Sequence, residues 1–119
     1  MKKIALCFIL LFSTTVQAEQ EEDRYKVICE FAAATADMSM YYRQRGYNPK
    51  LALTLVNEGL GDDRSENIFI EKMYIISIGI IHGAYQIPIS ESEEGKEKAI
   101  SDYSNDIYMQ CRLSNYKYK

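Results

Sequence analysis

The chain has no tryptophan, a single histidine, two prolines and, beyond its first eighteen residues, only two cysteines. Each scarcity removes a class of function. A Cys/His zinc site needs several soft ligands, and one histidine with two widely spaced cysteines does not supply them, so no metal or cofactor is expected. His82 would have to be the base of any Ser-His-Asp arrangement, and no G-x-S-x-G turn presents a serine to it. It reads instead as a partly buried helix residue. No glycine-rich phosphate loop is present, and the chain reads as a non-enzyme. A basic surplus is also missing. Lys and Arg total 14 against 17 acids, a formal net charge of −3, the wrong sign for a generic nucleic-acid binder. Apolar residues at 47% and charged residues at 26% are ordinary globular values and exclude a wholly disordered chain.

The first eighteen residues have the order of an export signal. Met1-Lys2-Lys3 is a short positive start, Ile4 to Phe12 is an unbroken apolar run, and Val16-Gln17-Ala18 puts modest and small side chains before a cleavage point after Ala18. As helix, that run spans about 14 Å, too short for a hydrocarbon core of ~30 Å. Its brevity points to a bacterial periplasm. Loss of Lys2 and Lys3 takes the net charge from −3 to −5. Residues 19–119 then form one small domain, with no stable membrane insertion expected once the signal is removed.

Cys29 and Cys111 are left for the exported chain, one near each end. That arrangement suits a structural disulfide better than a redox pair, which favours C-x-x-C spacing. The bond closes a loop for which chain-entropy reasoning gives about 4–5 kcal/mol as an upper bound.

Hydrophobic spacing gives four helices. Tyr25, Ile28, Cys29, Ala32, Ala36 and Ser39 form one stripe of a first helix over 22–45, closed by Gly46 as C-cap. Asn48-Pro49 opens a second that ends near Gly59. Asp63 and Glu66 suggest a capping box for a third, from Glu66 to Tyr85, apolar almost all round between Met73 and Ile81 and therefore expected at the centre. Glu71 and Lys72 interrupt it as a membrane span. Pro88 ends it. Ser90 and Glu93 suggest another capping box, and Ile100, Tyr103, Ile107, Tyr108 and Cys111 line a fourth helix, with a polar tail from Asn115. Joining Cys29 to Cys111 brings the start of the first helix beside the end of the last. The expected fold is all-α, a compact bundle of about four helices closed by one disulfide.

Gly79 and Gly83 have the G-x-x-x-G spacing and suggest close helix packing, with a dimer contact as the alternative. Glu91, Glu93, Glu94 and Glu97 read as a solvated helix start. Ten tyrosines offer contact area with a hydroxyl attached, and Tyr41, Tyr42 and Tyr47 cluster around Arg43 and Arg45. Those five are the candidate partner-binding residues, Arg43 and Arg45 being suited to clamp an acidic group. Tyr116 and Tyr118, alternating with lysines, suggest a weak contact with an anionic surface.

Arg43-Gln44-Arg45-Gly46, Ala84-Tyr85-Gln86-Ile87-Pro88 and Tyr103-Ser104-Asn105-Asp106-Ile107-Tyr108 leading to Cys111 resemble a family of small exported helical proteins of bacteria and their prophages. Those chains carry a cysteine in the first helix, an R-Q-x-G step, an A-Y-x-x-P step and a closing Y-x-N-x-x-Y-x-x-C. The resemblance covers Cys29 to Cys111 and implies the fold without implying a reaction. Cys29-Glu30-Phe31 is also similar to the first-cysteine region of the HdeA-like acid-stress chaperones of the periplasm. Two functions follow as expectations. One is a non-enzymatic periplasmic interaction module whose partner is an envelope protein. The other is an acid-activated holdase, in which protonation of the carboxylates below ~pH 4 loosens the packing and exposes the Met73–Ile81 surface.

Overall fold

The computed structural model describes residues 24–61 and 67–117, with side chains through Ser114. The export signal, the acidic residues before Arg24, the Asp63–Glu66 capping box and the tyrosine tail lie outside the described residues. Four helices follow one another: α1 over 24–44, α2 Pro49–Leu60, α3 Ile68–Tyr85 and α4 Glu93–Lys117. Among the described residues there is no strand. The expected all-α bundle is observed, closed by Cys29–Cys111 with a Cα–Cα distance of 5.5 Å, within the ordinary disulfide range.

The ends of the helices follow from local chemistry. At the close of α1, Gly46 takes φ +79°, a conformation glycine adopts without a Cβ penalty. Its N–H donates to Arg43 O at 3.0 Å, and the Tyr47 N–H donates to Tyr42 O at 3.0 Å. This pair of bonds is a Schellman cap, which often carries an apolar contact between its flanking residues. Tyr42 and Tyr47 supply that contact edge to face, their ring centroids 5.7 Å apart. Asn48 then caps α2, its side chain accepting from Lys50 N at 2.9 Å, with Pro49 at the first helical position where no N–H is missed. α2 runs to Leu60 and is closed by Gly61, one turn-residue later than expected.

One expected cap is replaced, and α3 carries a cap of its own. α3 is capped by Asn67, whose side chain accepts from Phe69 N at 3.0 Å. Asn is as good an N-cap as Asp. α4 is capped by Ser92, whose hydroxyl accepts from Gly95 N at 2.9 Å. Ser90 does not form the expected box with Glu93, because its N–H is held by Gln44. Glu93 pairs with Lys96 at 3.5 Å instead. The expected polar tail is also shorter, since α4 continues through Lys117.

α1 and α3 form the middle of the bundle. Ala32 and Ala36 of α1 meet Ile80 of α3, with Tyr103 and Ile107 of α4 packed on them. On the other side, Ala52 and Val56 of α2 meet Ile81 of α3, joined by Met38, Tyr42, Tyr74 and Tyr85. The adjacent residues Ile80 and Ile81, about 100° apart on the helix, thus serve two separate clusters. The contact side chains are small: Ala32, Ala36, Ser39, Ser77 and Ala84 are all buried. The buried hydroxyls are satisfied within their own helices, Ser39 donating to Thr35 O at 2.6 Å and Ser77 to Met73 O at 2.7 Å, so they add no unpaired polar group to the core.

The placement of α3 differs from expectation. It was expected to be covered all round, yet only one face is buried, through Met73, Ser77, Ile80, Ile81 and Ala84. Ile68 is 72% exposed and Ile75 61%, and Phe69, Ile76 and Ile78 are exposed with them. By length and composition α3 could cross a membrane, and about 28% of it is buried inside the protein. The neighbouring helices cover one face of α3, so a sequence apolar on every side leaves the opposite face uncovered. His82 falls on this open side and is exposed, not partly buried.

The two glycines of G-x-x-x-G also separate. A Cβ on Gly83 would stand 2.6 Å from the Tyr103 hydroxyl, whereas a Cβ on Gly79 would meet nothing within 4 Å. Gly83 is a packing glycine. Gly79 is not.

Candidate functional site

The aromatic and cationic residues singled out around Gly46 lie together at one end of the bundle, where α1 ends, α2 begins and the α3–α4 loop passes. The structure sorts them into two groups. Arg43 is half-buried, and its Nε donates to Ile87 O at 2.9 Å. Its guanidinium lies 5.5 Å from the Tyr85 ring centroid. Tyr42 is half-buried in the α1–α2–α3 cluster. These two residues hold the fold, and Arg43 has its principal hydrogen bond inside the protein.

Arg45, Tyr41 and Tyr47 face outward. The Arg45 guanidinium lies 4.6 Å above the Tyr41 ring, a cation–π pair. Tyr41 is 40% exposed and Tyr47 50%. Tyr41 leans edge-on against Tyr42, ring centroids 5.6 Å apart, which in turn leans on Tyr47. The three rings form a continuous ladder whose middle member is anchored in the core. Lys50 is exposed just beyond.

Gln44 was not anticipated. It lies between the two arginines, yet it is fully buried. Its amide donates to Pro88 O at 3.1 Å, and its carbonyl accepts from Ser90 N at 2.8 Å. The same NH₂ lies 3.5 Å from Met40 Sδ. Tyr85 completes the junction from the other direction, donating its hydroxyl to Tyr47 O at 2.6 Å. Burial raises the Tyr85 pKa above its ordinary value, and the positive Arg43 beside it opposes the rise. The R-Q-x-G and A-Y-x-x-P segments are therefore two halves of one clamp that ties the end of α1 to the α3–α4 loop. Their arrangement in sequence was visible. Their contact was not, since nothing in a polar side chain at a helix end separates a buried Gln from a solvated one.

The third quoted segment is structural as well. Tyr103 donates to Ile80 O at 2.6 Å and Ser104 to Ala33 O at 3.0 Å, and Cys111 closes the disulfide. Burial raises the Tyr103 pKa.

Two grooves remain. One, of about 270 Å³, runs between α1 and α4 and is lined by Asp37, Glu97, Ser101, Ser104 and Asn105. Both of its carboxylates are exposed, and no histidine stands by them. The other, of about 190 Å³, is mostly apolar and lies between α1 and α2, lined by Phe31, Met38, Leu55 and Val56. Among the described residues no group of three or more His, Cys, Asp or Glu is placed to hold a metal ion.

Fold and surface together define a small, disulfide-closed, all-α bundle with an aromatic–cationic end. No family model, curated protein or solved structure matches the chain.

Proposed function

We propose that this protein is a non-enzymatic interaction module, exported to the periplasm after cleavage behind Ala18, which recognises an envelope protein through Tyr41, Arg45 and Tyr47. The observation that carries the reading is the exposed Arg45 guanidinium stacked 4.6 Å over an exposed tyrosine, on a ladder of rings whose base is buried. Side chains already held in place lose little entropy when a partner arrives, and Tyr with Arg is the pairing enriched where contacts carry most binding energy. The stack leaves the guanidinium N–H groups free to meet a carboxylate, so the partner surface is acidic or rich in carbonyls. A disulfide suits an oxidising compartment.

The test is site-specific crosslinking in the producing cell. A photo-reactive residue at position 41 or 47 should capture one discrete envelope protein. The same residue at exposed Met109, near the disulfide at the other end of α1, should not, and Arg45→Ala should abolish capture. Equal capture from both positions would dismiss the patch.

The acid-holdase reading finds less support. Every described Asp and Glu is exposed, so the core holds no carboxylate whose protonation would loosen it. The apolar surface of α3, which that mechanism would expose, is already open in the folded protein.

A further inference from the structure

α2 runs back along α1, and the groove between them is lined from those two helices alone, with Phe31, Ala34 and Met38 facing Leu55, Val56 and Gly59. α3 meets the same hairpin through Ala52 and Val56 and contributes no residue to the groove. From Ala34, steps of four, three and four along α1 reach Met38, Tyr41 and Arg45, all on one helix face. The groove therefore leads into the cation–π stack. On α2, Leu51, Leu55 and Glu58 share a face by the same rule, and all three are exposed. Glu30, one turn before Ala34, is exposed as well. The floor is thus apolar and its two ends differ in sign, with Arg45 at one end and Glu30 and Glu58 at the other. From Glu30 to Arg45 the face is about 22 Å long.

Size, backbone chemistry and charge choose the occupant. A cavity of about 190 Å³ is smaller than the ~300–1,000 Å³ of a small-molecule site, and it suits the apolar side chains of a partner better than a free ligand. An extended peptide would carry unpaired N–H and C=O groups over the apolar floor, and no strand among the described residues offers them an edge. A helix satisfies its backbone within itself. We propose that the groove receives one amphipathic helix of the partner protein, about four turns long. Its apolar residues, at helical spacing, lie against Met38 and Leu55, its acidic end meets Arg45, and its basic end meets Glu30 and Glu58. This rests on the reading of Tyr41, Arg45 and Tyr47 as a partner surface, and it gives that partner a secondary structure and an order of charge.

The test uses the full chain in the producing cell. A photo-reactive residue at Leu51 or Glu58 should capture the same envelope protein as positions 41 and 47. Support requires more than capture: the adducts from 51 and 58 should fall in one segment, about seven residues apart. These two positions are separated by about 10 Å along α2, and a helix rises about 1.5 Å per residue. An extended segment would place the adducts about three residues apart, and that spacing overturns the helix. Ala34→Arg, at an exposed helical position, should fill the groove and lower capture from position 47 about tenfold, with helix content unchanged. Leu55→Arg should do the same should the first variant fold poorly. Capture that survives both variants overturns the proposal, as does an adduct of lipid or of a second copy of this chain. Capture at 41 and 47 with none at 58 overturns the groove and leaves the tyrosine patch standing, whereas silence at all four positions overturns both.

Discussion

The two glycines of α3 are expected to respond to alanine with opposite signs. At Gly79 the added methyl meets nothing, and only the backbone term acts. Glycine in a helix interior costs about 0.5–1 kcal/mol relative to alanine, so Gly79→Ala should stabilise by that amount, about 2–8 °C in Tm for a domain of this size. At Gly83 the same methyl would stand 2.6 Å from the Tyr103 hydroxyl, while the ring carbons behind it are in ordinary contact at 3.7 and 4.0 Å. The ring cannot simply withdraw, since it packs on Ala32, Ala36 and Ile80 and its hydroxyl is bonded to Ile80 O at 2.6 Å. Moving it sacrifices a hydrogen bond of about 1 kcal/mol and adds overpacking strain of about 1–3 kcal/mol. Against a propensity gain of about 1 kcal/mol, Gly83→Ala should destabilise by roughly 1–3 kcal/mol. Removing the hydroxyl should reverse the sign. On a Tyr103→Phe background the nearest remaining atom sits at 3.7 Å, and Gly83→Ala should then be neutral or stabilising. Urea unfolding of the four proteins at low micromolar concentration, disulfide intact, would yield a coupling energy of about 2–3 kcal/mol. Alanine effects of the same sign at both glycines, or a coupling within a few tenths of zero, would refute the reasoning.

Gln44→Ala should cost about 1–3 kcal/mol, because it removes the two hydrogen bonds that a fully buried side chain makes to the Ser90 N–H and the Pro88 carbonyl. Hydrogen exchange at Ser90 should rise correspondingly. Reducing Cys29–Cys111 should lower stability by up to about 4–5 kcal/mol for a loop of 82 residues, seen as a large fall in urea midpoint with reductant. Stability should also fall under alkali. Tyr85 and Tyr103 have folded pKa values raised above the ordinary 10.0, so the stabilisation that each neutral hydroxyl contributes is whole below that value and is lost as pH rises from there through the folded pKa. Unfolding followed by phenolate absorbance should show a steeper alkaline loss for the wild type than for Tyr103→Phe.

Where one physical cause dominated, the fold could be read from the sequence. The α1 stripe, the Gly46 cap, the Asn48-Pro49 restart and the pairing of two distant cysteines each follow from spacing or from backbone preference. Caps were less legible, because several good cap residues stand close together before α3 and α4. Asn67 caps α3, and Ser92 caps α4 in place of Ser90. Ser90 in particular is committed to Gln44, a residue more than forty positions away.

The candidate site was legible in composition and misleading in detail. Arg43, Tyr42 and Gln44 stand out in sequence beside Arg45, Tyr41 and Tyr47, and no local pattern separates the members that hold the loop from those that face solvent. Successive side chains at a helix end step by about 100°, so Tyr41 and Arg45 share the open face while Tyr42, Arg43 and Gln44 turn inward, and which side is buried depends on where the α3–α4 loop returns. α3 shows the converse. Its isoleucines look like core because they are apolar on every side, but burying them all would take more neighbours than this short chain supplies. Patterned polar residues turned out to be scaffold, while the residues most like a core lie open to solvent. In a bundle this small the apolar excess of one helix exceeds what its neighbours can cover, and α3 carries that excess as an open face.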